Sequence, residues 1–258
     1  MGDQTYLFID GGHLRKYHAE ATQRWFGQPA DLDVDQVKQR LSATKCFFYD
    51  CVDDIQAAGE TPQEFKARVD AQEAWFDKVQ ALSGTHVRLG SMTGTRKNKR
   101  QKQVDILLTV DMMNHAFRRN MALAILITGD QDFKPLVESM VNMGLHVQVR
   151  GDRRHTSWDL AAAADSYLPL TLRDYWWWSP EPLKDAFPIA HKHIGNPNLA
   201  GYTKLKDVTI DGNAAELFYG GSHYLVRYRL DQDFMVAVHE NEQRLAQYCE
   251  LEFESVTW

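Results

Sequence analysis

The sequence predicts an α/β protein with a doubly wound parallel sheet over residues 1–172, followed by a small β-rich domain over residues 173–258. Three observations carry this. Apolar strand-like runs alternate with helix-like segments through the first part. Such β-α alternation builds a parallel sheet with helices on both faces. Beyond Arg173 the pattern changes to short runs separated by turn residues, and the charge shifts. Residues 1–172 carry 21 basic and 22 acidic side chains, whereas residues 173–258 carry 8 and 13.

Each element has a local reason. Tyr6 to Ile9 is apolar and runs into Asp10-Gly11-Gly12, which reads as a strand with a turn behind it. Lys45 to Val52 is a second strand candidate. Thr61-Pro62-Gln63-Glu64 marks a helix start, with Thr as cap, Pro at the first helical position and Glu completing a capping box. That helix is expected to reach Leu82, ahead of Gly84. His86 to Leu89 is a third strand, followed by a basic polar stretch and an amphipathic helix from Val104 to Arg119. Leu123 to Thr128 (LAILIT) is a buried strand. A helix from Phe133 to Met143 closes at Gly144, and His146 to Val149 is the next strand. A helix near 157–164 and a strand near Tyr167 complete the pattern. In the tail, Pro180, Pro182 and Pro188 interrupt regular structure beside Trp176, Trp177 and Trp178. Short strands are expected at Glu216 to Tyr219, His223 to Arg229, Phe234 to His239 and Glu250 to Val256. Gly220-Gly221 reads as a hairpin turn between the first two.

Composition narrows the function classes. The chain has 258 residues, 44% hydrophobic and 25% charged, as in globular proteins that close a core. No apolar run reaches the 18 or so residues of a membrane span, and the start lacks the features of a secretion signal. The three cysteines, Cys46, Cys51 and Cys249, show no CxxC spacing, which argues against a disulfide framework and a thiolate zinc site. A cytoplasmic location is the expectation. The net charge of -6 does not announce a nucleic-acid partner, but it can hide a local basic surface.

The chemistry is concentrated in aspartates. In parallel sheets, site residues collect beyond the carboxyl ends of the strands. Asp10 follows the first strand, Asp130 and Asp132 follow LAILIT, and Asp105 starts the preceding helix. Carboxylates without histidine or thiolate partners form a hard oxygen site, suited to Mg²⁺ or Mn²⁺ rather than zinc. Such ions stabilise phosphoryl charge and acidify an attacking water, both of which a nuclease needs. Plainer roles exist for each residue. Asp10 can be a turn residue, Asp130 and Asp132 helix caps, and Asp105 a complement to a helix dipole. Asp111 lies six positions beyond Asp105 and points elsewhere on a helix, so it is not a ligand candidate.

The segments FIDGGH (8–13), VDILLTVD (104–111) and LITGDQDFKPLVESMVNMGLHVQV (126–149) resemble the NYN domain family. This family belongs to the PIN-like nucleases and includes the LabA-like bacterial proteins. Residues 150–168 resemble the end of that domain, so the likeness spans nearly all of 1–172. TGDQDF with its following helix is the most specific part. The resemblance implies a PIN-like fold and, in active members, metal-dependent ribonuclease activity. It places Asp10, Asp105, Asp130 and Asp132 at the family's acidic positions. Where the family has D-G-x-N, this chain has Asp10-Gly11-Gly12-His13. His13 then stands for the asparagine in orienting substrate; a solvent-facing histidine at a helix start is the plainer alternative.

Arg96, Lys97, Lys99, Arg100 and Lys102 place five cations in seven residues just before Asp105, and Arg150, Arg153 and Arg154 form a second group. Cations beside such a site can hold a phosphate backbone without reading bases; a solvated loop is the alternative. Thr128, beside the acidic turn, is a further substrate-binding candidate. The expected function is a divalent-metal-dependent endoribonuclease using Mg²⁺ or Mn²⁺, with RNA as partner. Asp10, Asp105 and Asp130 would hold the ion, and Asp132 would complete the set. The rivals are a non-catalytic RNA-binding module and a metal-dependent DNase. A small-molecule phosphatase is disfavoured, because the chain has no P-loop or GxGxxG motif and Asp10 has no DxD partner. The tail's aromatics suit a β core; dimerisation or a protein partner through this domain is also open, and no membrane association is expected.

Overall fold

The computed structural model describes residues 4–95, 98–187, 191–230, 233–253 and 255–258; the side chains of 95, 98–101, 191–194, 230, 233 and 251 lie outside that description. The chain divides into two compact units. One comprises the residues up to Glu20 together with Asp31–Leu170, the other Ala21–Ala30 together with Thr171–Trp258.

The first unit is an α/β layer structure. Its strands are β1 (Thr5–Asp10), β2 (Lys45–Asp50), β3 (Thr85–Leu89), a hairpin of β4 (Ser91–Thr95) and β5 (Asn98–Lys102), β6 (Leu123–Ile127), β7 (His146–Asp152) and β8 (Ser166–Leu170). Its helices are α1 (Gly11–Phe26, which runs on into the second unit's segment), α2 (Val34–Arg40), α3 (Pro62–Gln80), α4 (Val104–Phe117), α5 (Lys134–Asn142) and α6 (Trp158–Ala163). Six strands pair in the order β3-β2-β1-β6-β7-β8. Every pairing is parallel, so all these strands end at one edge. The order reverses between β1 and β6, the position where such sheets open a crevice.

Strand alternation sorts the two faces. Tyr6, Phe8, Phe47, Tyr49, Ala124, Leu126, Val147 and Val149 join one buried core with Leu108 and Met112 of α4 and Val137 and Met140 of α5. On the other face, Phe48 meets Trp75 of α3 edge-on, with ring centroids 5.5 Å apart. The capping box at Thr61 forms as the sequence predicts: the Glu64 amide donates to Thr61 Oγ1 at 3.3 Å, and the Thr61 amide donates to the Glu64 carboxylate at 2.9 Å.

Two expectations in this unit are corrected, and one helix, α2, has no counterpart among them. Asp10-Gly11-Gly12 does not turn into a loop; α1 starts at Gly11 directly after the strand. A side chain at 11 would press within 2.7 Å of the Tyr49 carbonyl and against the Phe48 ring, so glycine here serves close packing on β2 rather than a turn. The helix α2 lacks a strong sequence signal; it is capped by Asp33, whose carboxylate accepts from the Gln36 amide at 3.0 Å. The basic stretch is not a loop throughout: Lys99, Arg100 and Lys102 lie on β5, paired with β4. Arg96 and Lys97 fall outside the described residues.

The second unit carries α7 (Leu172–Trp177), α8 (Glu181–Ala186), β9 (His191–Ile194), β10 (Thr203–Ile210), β11 (Asn213–Tyr219), β12 (Tyr224–Leu230), β13 (Asp233–His239), α9 (Glu242–Glu252) and β14 (Val256–Thr257). Its strands form an antiparallel sheet in the order β14-β10-β11-β12-β13-β9. Gly220-Gly221 does turn β11 into β12: the Gly220 amide donates to the His223 carbonyl, and Gly221 takes a positive φ of 79°. Of the expected strand over 250–256, residues 250–252 are instead the end of α9, while Val256 opens β14. Leu245, Tyr248 and Cys249, spaced for one helical face, are fully buried with Leu217 and Val226 of the sheet. Trp25 and Phe26 belong to this core, at 3% exposure each. Among the described residues, no helix is long and apolar enough to cross a membrane.

Candidate active site at the carboxyl edge of the parallel sheet

Asp10 is the last residue of β1 and is 8% exposed. Its carboxylate accepts from the His13 amide at 3.2 Å and from Thr128 Oγ1 at 3.0 Å. The first bond belongs to the start of α1, so Asp10 caps this helix rather than a turn; that role coexists with burial that a simple cap does not need. Burial pushes the Asp10 carboxyl up to about 6; the two hydrogen bonds oppose this, and the charges of Asp105 and Asp50 add to it. A group so placed is a functional-site candidate.

Thr128 is fully buried and follows β6. Its hydroxyl donates to Asp10 and accepts from the Asp130 amide at 3.2 Å. It therefore braces two aspartates against each other, which places its polar atom in the protein's own network. Asp130 and Asp132 are exposed, and the Asp132 amide donates to Asp130 Oδ1 at 3.0 Å, capping a single 3₁₀ turn over Gln131–Phe133. Asp105 lies in the first turn of α4. Its carboxyl is raised by partial burial and then by the charges of Asp130 and Asp132. The structure thus brings Asp10, Asp105, Asp130 and Asp132 into one electrostatic neighbourhood.

His13 sits one helical turn beyond Asp10. Its Nε2 is buried and finds no hydrogen-bond partner among the described residues. Burial holds the imidazole down to about 4 despite the nearby charges of Asp130 and Asp152, so it is neutral near pH 7. Gly129 passes close to its ring: a Cβ there would lie 2.7 Å from His13 Cε1 and would collide with the His155 carbonyl. Tyr17 meets His13 edge-on at 4.5 Å and stacks on His155 at 4.0 Å. Asp111 lies outside this group. It accepts from Arg88 Nε at 3.0 Å and Tyr49 Oη at 3.2 Å.

The sequence reasoning missed two edge aspartates. Asp50 ends β2 as Asp10 ends β1; it is fully buried and paired with Arg15 Nε at 2.7 Å. Asp152 ends β7 and accepts from His155 Nδ1 at 2.9 Å. The available signal was the same strand-terminal position that identified Asp10. Of the basic candidates, Lys102 is exposed on β5, and Arg153 and Arg154 are exposed in the turn after β7.

Among the described residues, no three His, Cys, Asp or Glu side chains already stand as a metal cage. The donor chemistry nonetheless fits a hard divalent cation. The charges of Asp105 and Asp50 raise the proton affinity of Asp10, those of Asp130 and Asp132 raise that of Asp105, and a cation would relieve that repulsion.

Comparison with known proteins places these features. A solved structure of a protein of unknown function from Vibrio parahaemolyticus RIMD 2210633 is similar at 19% identity, covering 65% of this chain and 93% of that one, with a TM-score of 0.46. No curated protein matches. The NYN domain model matches residues 4–171, the span that contains every residue of the acidic edge. The chain accordingly belongs to the NYN domain family, a family of PIN-like nucleases.

Proposed function

We propose that this protein is a divalent-metal-dependent ribonuclease that hydrolyses internal phosphodiester bonds of RNA. The observation that supports it most is the coupled carboxylate group around buried Asp10. Asp10, Asp105 and Asp130 would hold a Mg²⁺ or Mn²⁺ ion, with Asp132 completing the set. When bound, the ion supplies positive charge to the scissile phosphoryl group and makes the attacking water more acidic.

The chain's own residues do the rest. Thr128 and the His13 amide fix the Asp10 carboxylate in one orientation. Neutral His13 presents an uncommitted ring nitrogen beside Gly129, suited to hold a substrate or water hydrogen bond. Lys102, Arg153 and Arg154, with the cations of 96–100, would attract the phosphate backbone without reading bases. Water attacks phosphorus, the bond to the leaving oxygen breaks, and a proton from water completes that oxygen.

The test incubates purified protein with mixed-sequence single-stranded RNA and DNA, with Mn²⁺ or with EDTA. Internal cleavage of RNA in Mn²⁺ alone is expected. RNA retention without cleavage under any divalent ion would replace this reading with a binding module, and preferential cleavage of DNA with a deoxyribonuclease.

A further inference from the structure

We infer that Arg15 forms a phosphate-binding subsite beside Asp10, a pre-organised guanidinium that grips the substrate backbone on the β2 side of the acidic edge. The inference rests on the nuclease reading above.

Arg15 lies on the first turns of α1, and its Nε donates to Asp50 Oδ2 at 2.7 Å. Its guanidinium carbon lies 5.5 Å from the Trp75 ring centre and 5.6 Å from that of Phe76, both on α3. One edge of the cation is thus tied to a buried carboxylate, and two aromatic side chains limit its swing. Arg15 remains one-third exposed, and among the described residues its two terminal nitrogens make no hydrogen bond. A guanidinium has five donors in a fixed fork, and a phosphate matches two of them side by side. Using Nε internally leaves the terminal pair to solvent.

Location supplies the second half of the argument. Asp50 follows Tyr49, which is the register partner of Asp10 in the adjoining strand. Its charge is felt by Asp10. Arg15 is therefore anchored one strand away from the central carboxylate. A counter-ion serving only Asp50 would need neither the aromatic clamp nor an accessible edge. The basic groups on β5 and after β7 lie on other elements, so a cation on the β2 side would let the backbone be held on more than one side of the scissile bond.

The experiment measures binding of a labelled mixed-sequence single-stranded RNA by fluorescence anisotropy in EDTA across a salt series, and cleavage in Mn²⁺. Arg15→Lys keeps the charge and loses the fork. The double variant Arg15→Met/Asp50→Asn removes the cation without orphaning a buried carboxylate, leaves the net charge unchanged, and is the variant expected to keep the fold; thermal melts confirm this. The double variant should bind about ten-fold more weakly, with its salt slope smaller by about 0.7. Arg15→Lys should weaken binding with little change in slope, and in cleavage both losses should appear in KM more than in kcat. Wild-type affinity and slope in the folded double variant would overturn the subsite while leaving the nuclease reading intact. A wild-type protein that neither binds nor cleaves RNA would overturn both.

Discussion

The two six-stranded sheets of this protein handle charge in opposite ways. In the parallel sheet every strand runs the same way, so strand-terminal residues accumulate at one edge. Asp10, Asp50 and Asp152 are the last residues of β1, β2 and β7, and Asp130 follows β6 closely. In the antiparallel sheet the strand ends alternate between edges, and charges pair across the ladder instead. Arg227 of β12 bonds its neighbour Glu216 on β11, which also meets Lys204 of β10 at 3.1 Å. Arg227 and Lys204 hold the Glu216 carboxyl below its ordinary range, whereas Asp10 is pushed above it. Polarity of the sheet thus decides whether carboxylates neutralise locally or gather at one edge.

The largest expected effect tests this contrast directly. Asp10→Asn with Asp130→Asn should abolish Mn²⁺-dependent RNA cleavage while circular dichroism stays unchanged; full activity would remove the acidic edge from the reaction. Glu216→Gln should leave cleavage untouched.

Truncation is the next largest. Residues 1–172 hold every candidate carboxylate, and a stretch of that length is enough to close a core. However, Trp25 and Phe26 are buried in the second unit's core with Leu172, Leu183 and Tyr248. Removing residues 173–258 bares both aromatics, and the fragment should aggregate. Changing Trp25 and Phe26 to Gln in the fragment should restore solubility and metal-dependent cleavage. A soluble but inactive rescued fragment would show that the second unit contributes to catalysis.

A smaller loss is expected from Thr128→Val, which removes the brace between Asp10 and Asp130. Cleavage should fall roughly 10–100-fold, as when a ligand's supporting partner is lost, and melting should show a destabilisation of about 1–3 kcal/mol from the under-bonded buried groups. Wild-type kinetics would mean the brace is dispensable.

The smallest effect concerns pH in EDTA. Asp10 binds its proton more tightly folded than unfolded, so its contribution is present below pH 4 and is lost as pH rises towards about 6. His13 acts the other way: its neutral form is favoured by folding, so its contribution is present above about pH 6.5 and is lost as pH falls towards about 4. The two oppose each other across one window. Relative to wild type, Asp10→Asn should make stability rise more steeply from pH 4 to 6, and His13→Gln should make it fall, each by on the order of 1–3 kcal/mol. Parallel curves for all three proteins would refute the assignment.

What could be read from the sequence follows from locality. The helix at Thr61 and the hairpin at Gly220-Gly221 are specified within a few residues, and both formed. LAILIT and the aspartates behind it were legible because burial and strand polarity leave a one-dimensional trace. Arg15 and Asp50 were not, since they are 35 positions apart and meet only through the β1–β2 pairing. The hairpin holding Lys99, Arg100 and Lys102 carries no apolar alternation to betray it. Residues 250–252 resemble a strand taken alone and are helical because they extend α9, whose Leu245, Tyr248 and Cys249 are buried against the sheet. Asp105 joined the group through its place at the start of the helix before LAILIT, and the likeness to the NYN family puts it at one of that family's acidic positions.

Gly129 offers a different kind of handle. The space beside it is closed by the His13 ring and the His155 carbonyl, so even a methyl group cannot enter without displacing one of them. A Gly129→Ala protein would keep every carboxylate, every cation and the net charge, yet have its acidic turn wedged out of place. Cells carrying it would still make a chain with the same electrostatic surface, free to engage whatever the wild type engages. That makes a single methyl group a means of separating what this protein holds from what it cuts.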